Sequence, residues 1–169
     1  MKELSADVEV GKFGGRVSAP PTRGSQTSAT QNTRDEAGSI DTIKIAVIGL
    51  GNRGQMALER LPKIEGVKII AIADIDSNKV NESADKFFKD YPYSIPDKYY
   101  GSNDWEIICQ RKDIDLIYVC THWELHTPIA VFAMENDKHV AVEVPAALTI
   151  KECWQLVKTA EKTRKHCIQ

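Results

Sequence analysis

No CxxC pair occurs among the four cysteines (Cys109, Cys120, Cys153, Cys167). Their wide spacing suits neither a zinc site nor a dense disulfide scaffold, so they read as reduced, mostly buried thiols. No apolar run reaches the ~18 residues of a membrane helix, which excludes a helical span. No apolar signal core opens the chain, so no export signal is visible; the compartment expected is cytoplasmic, or periplasmic or secreted if a targeting segment was removed. A basic excess is also missing. Lys and Arg number 22 against 24 Asp and Glu, a net charge of -2, which argues against a nucleic-acid partner. What remains is 169 residues with 42% hydrophobic and 27% charged side chains, the composition and length of one globular domain. One domain holds a cofactor site or a substrate site comfortably, but rarely both in full.

Aromatic residues are scarce over the first forty positions, where Phe13 stands alone beside five of the ten glycines and Pro20-Pro21. The stretch from Ser18 to Ser39 cannot bury enough apolar area to offset its ordering entropy. Residues 1–41 are therefore expected to form a flexible extension, or an arm that wraps a neighbouring domain or subunit.

From Ile43 the texture changes. Short β-branched runs at Ile43–Ile48, Val67–Ala73, Leu116–Cys120 and His139–Val144 read as strands covered on both faces, the mark of a parallel sheet. Helical patterns follow them at Gln55–Ile64, Asn78–Phe88, Pro128–Asn136 and Thr149–Arg164. Pro128 is placed in a first helical turn, and Thr149 with Glu152 is read as a capping box. Trp105–Gln110 is a further short helix, and Lys98–Tyr100 a short extra strand. The alternation predicts an α/β fold: a doubly wound, mostly parallel Rossmann-type sheet of four or five strands over residues 42–169, without a second substrate domain.

The first strand runs into Gly49-Leu50-Gly51-Asn52-Arg53-Gly54. In this setting Gly49 serves the tight turn, Gly51 the close approach of backbone to a pyrophosphate, and Gly54 the packing of helix on strand. The following helix aims its N–H groups and positive end at the phosphates. Asp74, at the end of the second strand, stands where an acid binds the adenosine ribose and repels a 2′-phosphate, so NAD is expected over NADP. Asp76 is the runner-up. A flavin or another nucleotide stays open, because the fingerprint reads the pyrophosphate and not the reactive ring.

Ligands of such sheets sit beyond the strands' carboxyl ends. The third strand ends in Cys120-Thr121-His122-Trp123-Glu124-Leu125-His126-Thr127-Pro128. There Trp123 is placed to stack on a cofactor ring, and Thr121 and His126 to hydrogen-bond cofactor or substrate. The plainer alternative has His126 capping a helix and Trp123 packing on the sheet edge. His122 and His126 are spaced to share a helix face, but no third ligand is spaced to help and HExxH is absent, so no metal is expected. The fourth strand ends in Glu143-Val144-Pro145, with Glu143 facing the same crevice or bonded to backbone N–H groups.

These residues resemble the N-terminal domain of the Gfo/Idh/MocA oxidoreductases, which usually carry Glu-Lys-Pro at the fourth strand with the lysine assisting proton transfer. Val144 stands in the lysine's place. Trp123–Pro128, Lys138–Ala147, Glu152-Cys153-Trp154 and Glu161–Cys167 resemble one branch, glycoside hydrolase family 109, the NAD-dependent α-N-acetylgalactosaminidase type. The resemblance runs from Ile43 to the last residue. It implies a tightly held, recycled NAD: oxidation at the sugar's C3, elimination of the glycoside, addition of water and re-reduction, without the paired carboxylates of ordinary glycosidases. It also implies that Asn52 and Arg53 touch the cofactor phosphates and Asp74 the ribose. Thr121, Trp123, Glu124 and His126 would line the nicotinamide side, with Glu143 and Val144 beside it. No catalytic residue is expected within the chain. The amino-sugar glycoside would be bound by a missing C-terminal domain of a longer enzyme, with room left for a homo-oligomer, and the fragment alone would be inactive. Two other functions stay open: a sugar or polyol dehydrogenase of the same superfamily, and a catalytically silent NAD-binding module.

Overall fold

The computed structural model describes residues 42–169; the extension expected over residues 1–41 lies outside the described residues. Six strands form one parallel sheet: β1 (Ile43–Ile48), β2 (Val67–Ala73), β3 (Asp97–Tyr99), β4 (Leu116–Val119), β5 (His139–Val142) and β6 (Cys167–Ile168), in the order β3-β2-β1-β4-β5-β6. The chain winds outward from β1 through β2 to β3, then crosses back to β4 and winds the other way. Strand order reverses between β1 and β4, where a crevice opens beyond their carboxyl ends. Six strands, rather than four or five, arise because two short segments pair at the edges. Asp97–Tyr99 adds to β2, and Cys167–Ile168 adds to β5.

The helices are α1 (Asn52–Arg60), extended by a 3-10 turn at Leu61–Lys63, then α2 (Ser77–Phe88), α3 (Asp104–Gln110), α4 (Trp123–Glu135) and α5 (Ile150–Thr163). Alternate strand residues enter two separate cores, which explains why the strands read as continuous apolar runs. Ile45, Val47, Ile69 and Ile72 pack with Leu58 of α1 and with Val80, Ala84 and Phe88 of α2. Ala46, Ile48, Ile117, Val119, Val140 and Val142 pack with Ile108 of α3, Ile129 and Met134 of α4 and Leu156 of α5.

The helix starts follow local chemistry in two cases. Asp76 caps α2, its carboxylate accepting the Asn78 N–H at 2.9 Å. Thr149 and Glu152 form the expected reciprocal capping box at α5.

The start of α4 does not follow its proline. The helix begins at Trp123, not at Pro128, which is its sixth residue. Proline removes one intrahelical hydrogen bond. Tertiary bonds hold the turn before it regardless: Thr127 Oγ1 donates to Ala146 O at 3.1 Å, and the His126 ring reaches Pro145 O at 2.8 Å. The cysteines differ slightly from expectation too. Cys109 and Cys120 are buried, but Cys153 is exposed.

Candidate functional site

A cleft of about 420 Å³ lies at the reversal of strand order, floored by Ile48 and Ala73 and lined by Gly49, Gly51, Asp74 and Thr121. Its size falls within the range of ordinary small-molecule sites.

The three glycines do different work. Gly49 has φ +93°, and a β-carbon on it would lie 2.5 Å from the Cys120 carbonyl oxygen. A β-carbon on Gly54 would collide with the Gly49 carbonyl, so this residue lets α1 lie against the loop. Gly51 instead faces open space: a β-carbon there would find no atom within 4 Å, and the residue is the N-cap of α1. The first and third glycines are therefore required by the protein itself. The middle one leaves room at a helix N-terminus, where backbone N–H groups and the dipole favour an anion. A dinucleotide pyrophosphate fits that cradle.

Asp74 is fixed beside it. Its Oδ2 accepts the Leu50 N–H at 2.8 Å and its Oδ1 accepts the Asp76 N–H at 3.0 Å. Each oxygen keeps a further lone pair for a ribose hydroxyl. Asp76 also lines the cleft, with one carboxylate oxygen engaged as the α2 cap. Asp74 and the glycine loop are thus locked together before any ligand arrives.

Thr121 lines the cleft, its hydroxyl donating to His122 O at 3.2 Å, and His122 lines it too. Other residues named from the sequence lie elsewhere. Trp123 is 58% exposed at the start of α4, and Val144 is 65% exposed beyond β5. Asn52, Arg53, Glu124 and Glu143 do not line this cleft. His126 is corrected most: it neither caps α4 nor reaches the cleft. It is 1% exposed, with Nδ1 2.8 Å from Pro145 O and Nε2 3.0 Å from Thr121 O. Both ring nitrogens face backbone carbonyls, so His126 ties the β4 loop to the β5 loop and has no nitrogen left for a metal or a cofactor. Among the described residues, no group of three or more His, Cys, Asp or Glu is placed to hold a metal ion.

Several lining residues carried no sequence signal. Gly101 and Ser102 reach the cleft because the three-residue β3 delivers its following turn there, Trp105 follows in α3, Ile75 comes from the loop after β2 and Lys79 from the first turn of α2.

A second group lies beside the glycine loop on the α1 side of the sheet. Tyr118 Oη donates to Glu143 Oε1 at 2.9 Å, and Arg53 Nε stands 3.8 Å from Glu143 Oε2. Burial and then the bond to Glu143 push the Tyr118 phenol up to about 12. Burial, followed by the nearby Glu143 charge, raises Cys120 well above the ordinary thiol range, which disfavours its thiolate.

A family model described as "Oxidoreductase family, NAD-binding Rossmann fold" matches residues 43–169. Among curated proteins, the chain is 51% identical over 129 residues to an alpha-N-acetylgalactosaminidase of Bacteroides fragilis, covering 76% of this chain and 30% of that one. It is 45% identical over 133 residues to a glycosyl hydrolase family 109 protein of Porphyromonas gingivalis, covering 77% and 28%. The chain thus spans under a third of the length of these relatives. Among solved structures, scyllo-inositol dehydrogenase from Lactobacillus casei superposes with a TM-score of 0.67 at 20% identity, over 78% of this chain and 36% of that one. Biliverdin reductase from Synechocystis, solved with biliverdin and NADP+, superposes with a TM-score of 0.64 at 22% identity, over 75% and 37%. Both show the fold.

Proposed function

Since this chain belongs to the Gfo/Idh/MocA oxidoreductase family and carries its NAD-binding Rossmann domain, we propose that it is the cofactor-holding part of a glycosidase acting on α-N-acetylgalactosaminides. The observation that carries this reading is the coincidence of two features. The cleft presents an open Gly51 cradle beside a locked Asp74, and the similarity to family 109 proteins reaches 51%.

NAD, when bound, supplies a hydride acceptor that can later return the hydride. The residues of this chain bind and orient it. Gly51 and the first turn of α1, with Asn52 and Arg53, take the phosphates. Asp74 takes the adenosine ribose hydroxyls. Thr121, Trp123, Glu124, Glu143 and Val144 lie on the nicotinamide side. His126 serves that side indirectly, by holding Thr121 and Pro145 in place. Val144 offers no titratable group where many family members have lysine, so the proton transfer assigned to that lysine has no counterpart at this position. The sugar-contacting and proton-transferring groups belong, in this proposal, to the remaining two thirds of a polypeptide as long as its relatives.

The test is a nitrophenyl α-N-acetylgalactosaminide assay on a polypeptide of that length. Nitrophenol release without net NADH accumulation is expected. Steady NADH formation from a free sugar would make the protein a dehydrogenase instead, and activity in neither assay would leave a silent NAD-binding module.

A further inference from the structure

We propose that Tyr118 is a positioning residue for Glu143, and through it governs how much of Arg53 is left to engage the phosphates of a bound dinucleotide. β4 and β5 are parallel, with Tyr118 opposite Ala141. The two-residue period of a strand places Glu143 on the same face as Ala141, within reach of the phenol. Glu143 is 18% exposed in its side chain, so its charge needs a donor. Tyr118 is that donor, at 2.9 Å.

The other carboxylate oxygen stands 3.8 Å from Arg53 Nε. A charge-assisted hydrogen bond closes to about 2.7–2.9 Å, so the pair is held apart rather than docked. Arg53 keeps 64% of its side chain exposed, in the first turn of α1, next to the open Gly51 cradle. The phenol holds one carboxylate oxygen while the other faces Arg53, and in this proposal that bond keeps Glu143 from closing on the guanidinium. Without the phenol, Glu143 is free to close on Arg53 and to compete with a phosphate for its guanidinium. Burial and the bond to Glu143 push the phenol up to about 12, which agrees with a proton held tightly between Tyr118 and the carboxylate. Nothing in the glycine fingerprint points to Tyr118, since it lies two residues before the β4 loop and carries no motif.

The inference rests on the proposed contact of Arg53 with the cofactor phosphates, and its test separates the two. NAD affinity of the chain is measured by calorimetry for the wild type, Tyr118→Phe, Glu143→Gln and the double variant. Phenolate absorbance is titrated in the same proteins. Tyr118→Phe is expected to weaken NAD about three- to tenfold, the worth of one hydrogen bond. In the Glu143→Gln background the same change is expected to cost under about twofold, because the effect passes through the carboxylate. The high-titrating phenol should vanish in Tyr118→Phe and titrate earlier in Glu143→Gln. Unchanged NAD affinity in Tyr118→Phe, or an equal loss in both backgrounds, overturns the proposal and leaves Tyr118 as packing. If Tyr118→Phe fails to fold, an identical phenol midpoint in wild type and Glu143→Gln overturns it by itself. Failure of the wild type to bind NAD is a different outcome and refutes the cofactor-site assignment.

Discussion

His126 and Pro145, nineteen positions apart, are joined by a 2.8 Å contact between the imidazole Nδ1 and the proline carbonyl, while Nε2 lies 3.0 Å from Thr121 O. Carbonyl oxygens only accept, so a neutral ring with its single N–H serves one of them and an imidazolium serves both. Replacing His126 by Leu removes the ring that bridges the two carbonyls and leaves at least one of them without its donor in a buried place. A loss of about 2–4 kcal/mol in urea unfolding is expected. A loss under about 0.5 kcal/mol would show that the ring does not bind these loops together.

The glycines separate folding from binding. Gly49→Ala forces a side chain into φ +93° against the Cys120 carbonyl, and should cost about 2 kcal/mol or more of stability. Gly51→Ala meets no protein atom, and should leave stability within about 0.5 kcal/mol while weakening NAD at least tenfold. Unfolding curves and NAD titration on the two variants check this. Equal behaviour of the pair would contradict the division of labour.

The NAD-binding half was legible in the sequence because every device in it is local. The β1 run, the glycine turn, α1, the β2 run and Asp74 follow one another in the chain, and each obeys its own short-range rule. The start of α4 was not legible. Pro128 argues locally for a later start, and only the bonds from His126 and Thr127 to a loop nineteen residues away outweigh it. The same holds for Trp105, Gly101 and Ser102, which the register of β3 on β2 carries to the cleft. Tyr118 and Glu143 each read as ordinary strand residues until strand pairing sets them side by side.

Acid sensitivity should have a component at the sheet's other end. His139 Nδ1 accepts the His166 N–H at 3.1 Å, and the two rings stack. Burial, then Lys165 and His166, hold His139 below its ordinary value of 6.5. A histidine depressed in the folded state takes its proton more readily when unfolded. Its contribution is therefore complete above 6.5 and falls as the pH drops from there toward the lower folded value. His139→Asn should flatten the slope of stability against pH in that window. An unchanged slope would assign the sensitivity to other groups.

Asp74→Ala removes the acceptor for the Leu50 and Asp76 N–H groups and the proposed ribose ligand together. NAD affinity should fall at least tenfold and stability by about 1–2 kcal/mol. An affinity equal to the wild type would refute the ribose assignment.

NAD is assigned, in this proposal, to the cleft between Gly51 and Asp74. The most direct measurement of that assignment is a calorimetric titration of NAD into the chain, with the melting temperature followed alongside. Saturable binding at one site is predicted, with a melting temperature that climbs with NAD concentration, and with an affinity at least tenfold lower in Gly51→Ala. No heat of binding and no thermal shift, or equal binding by Gly51→Ala, would contradict it.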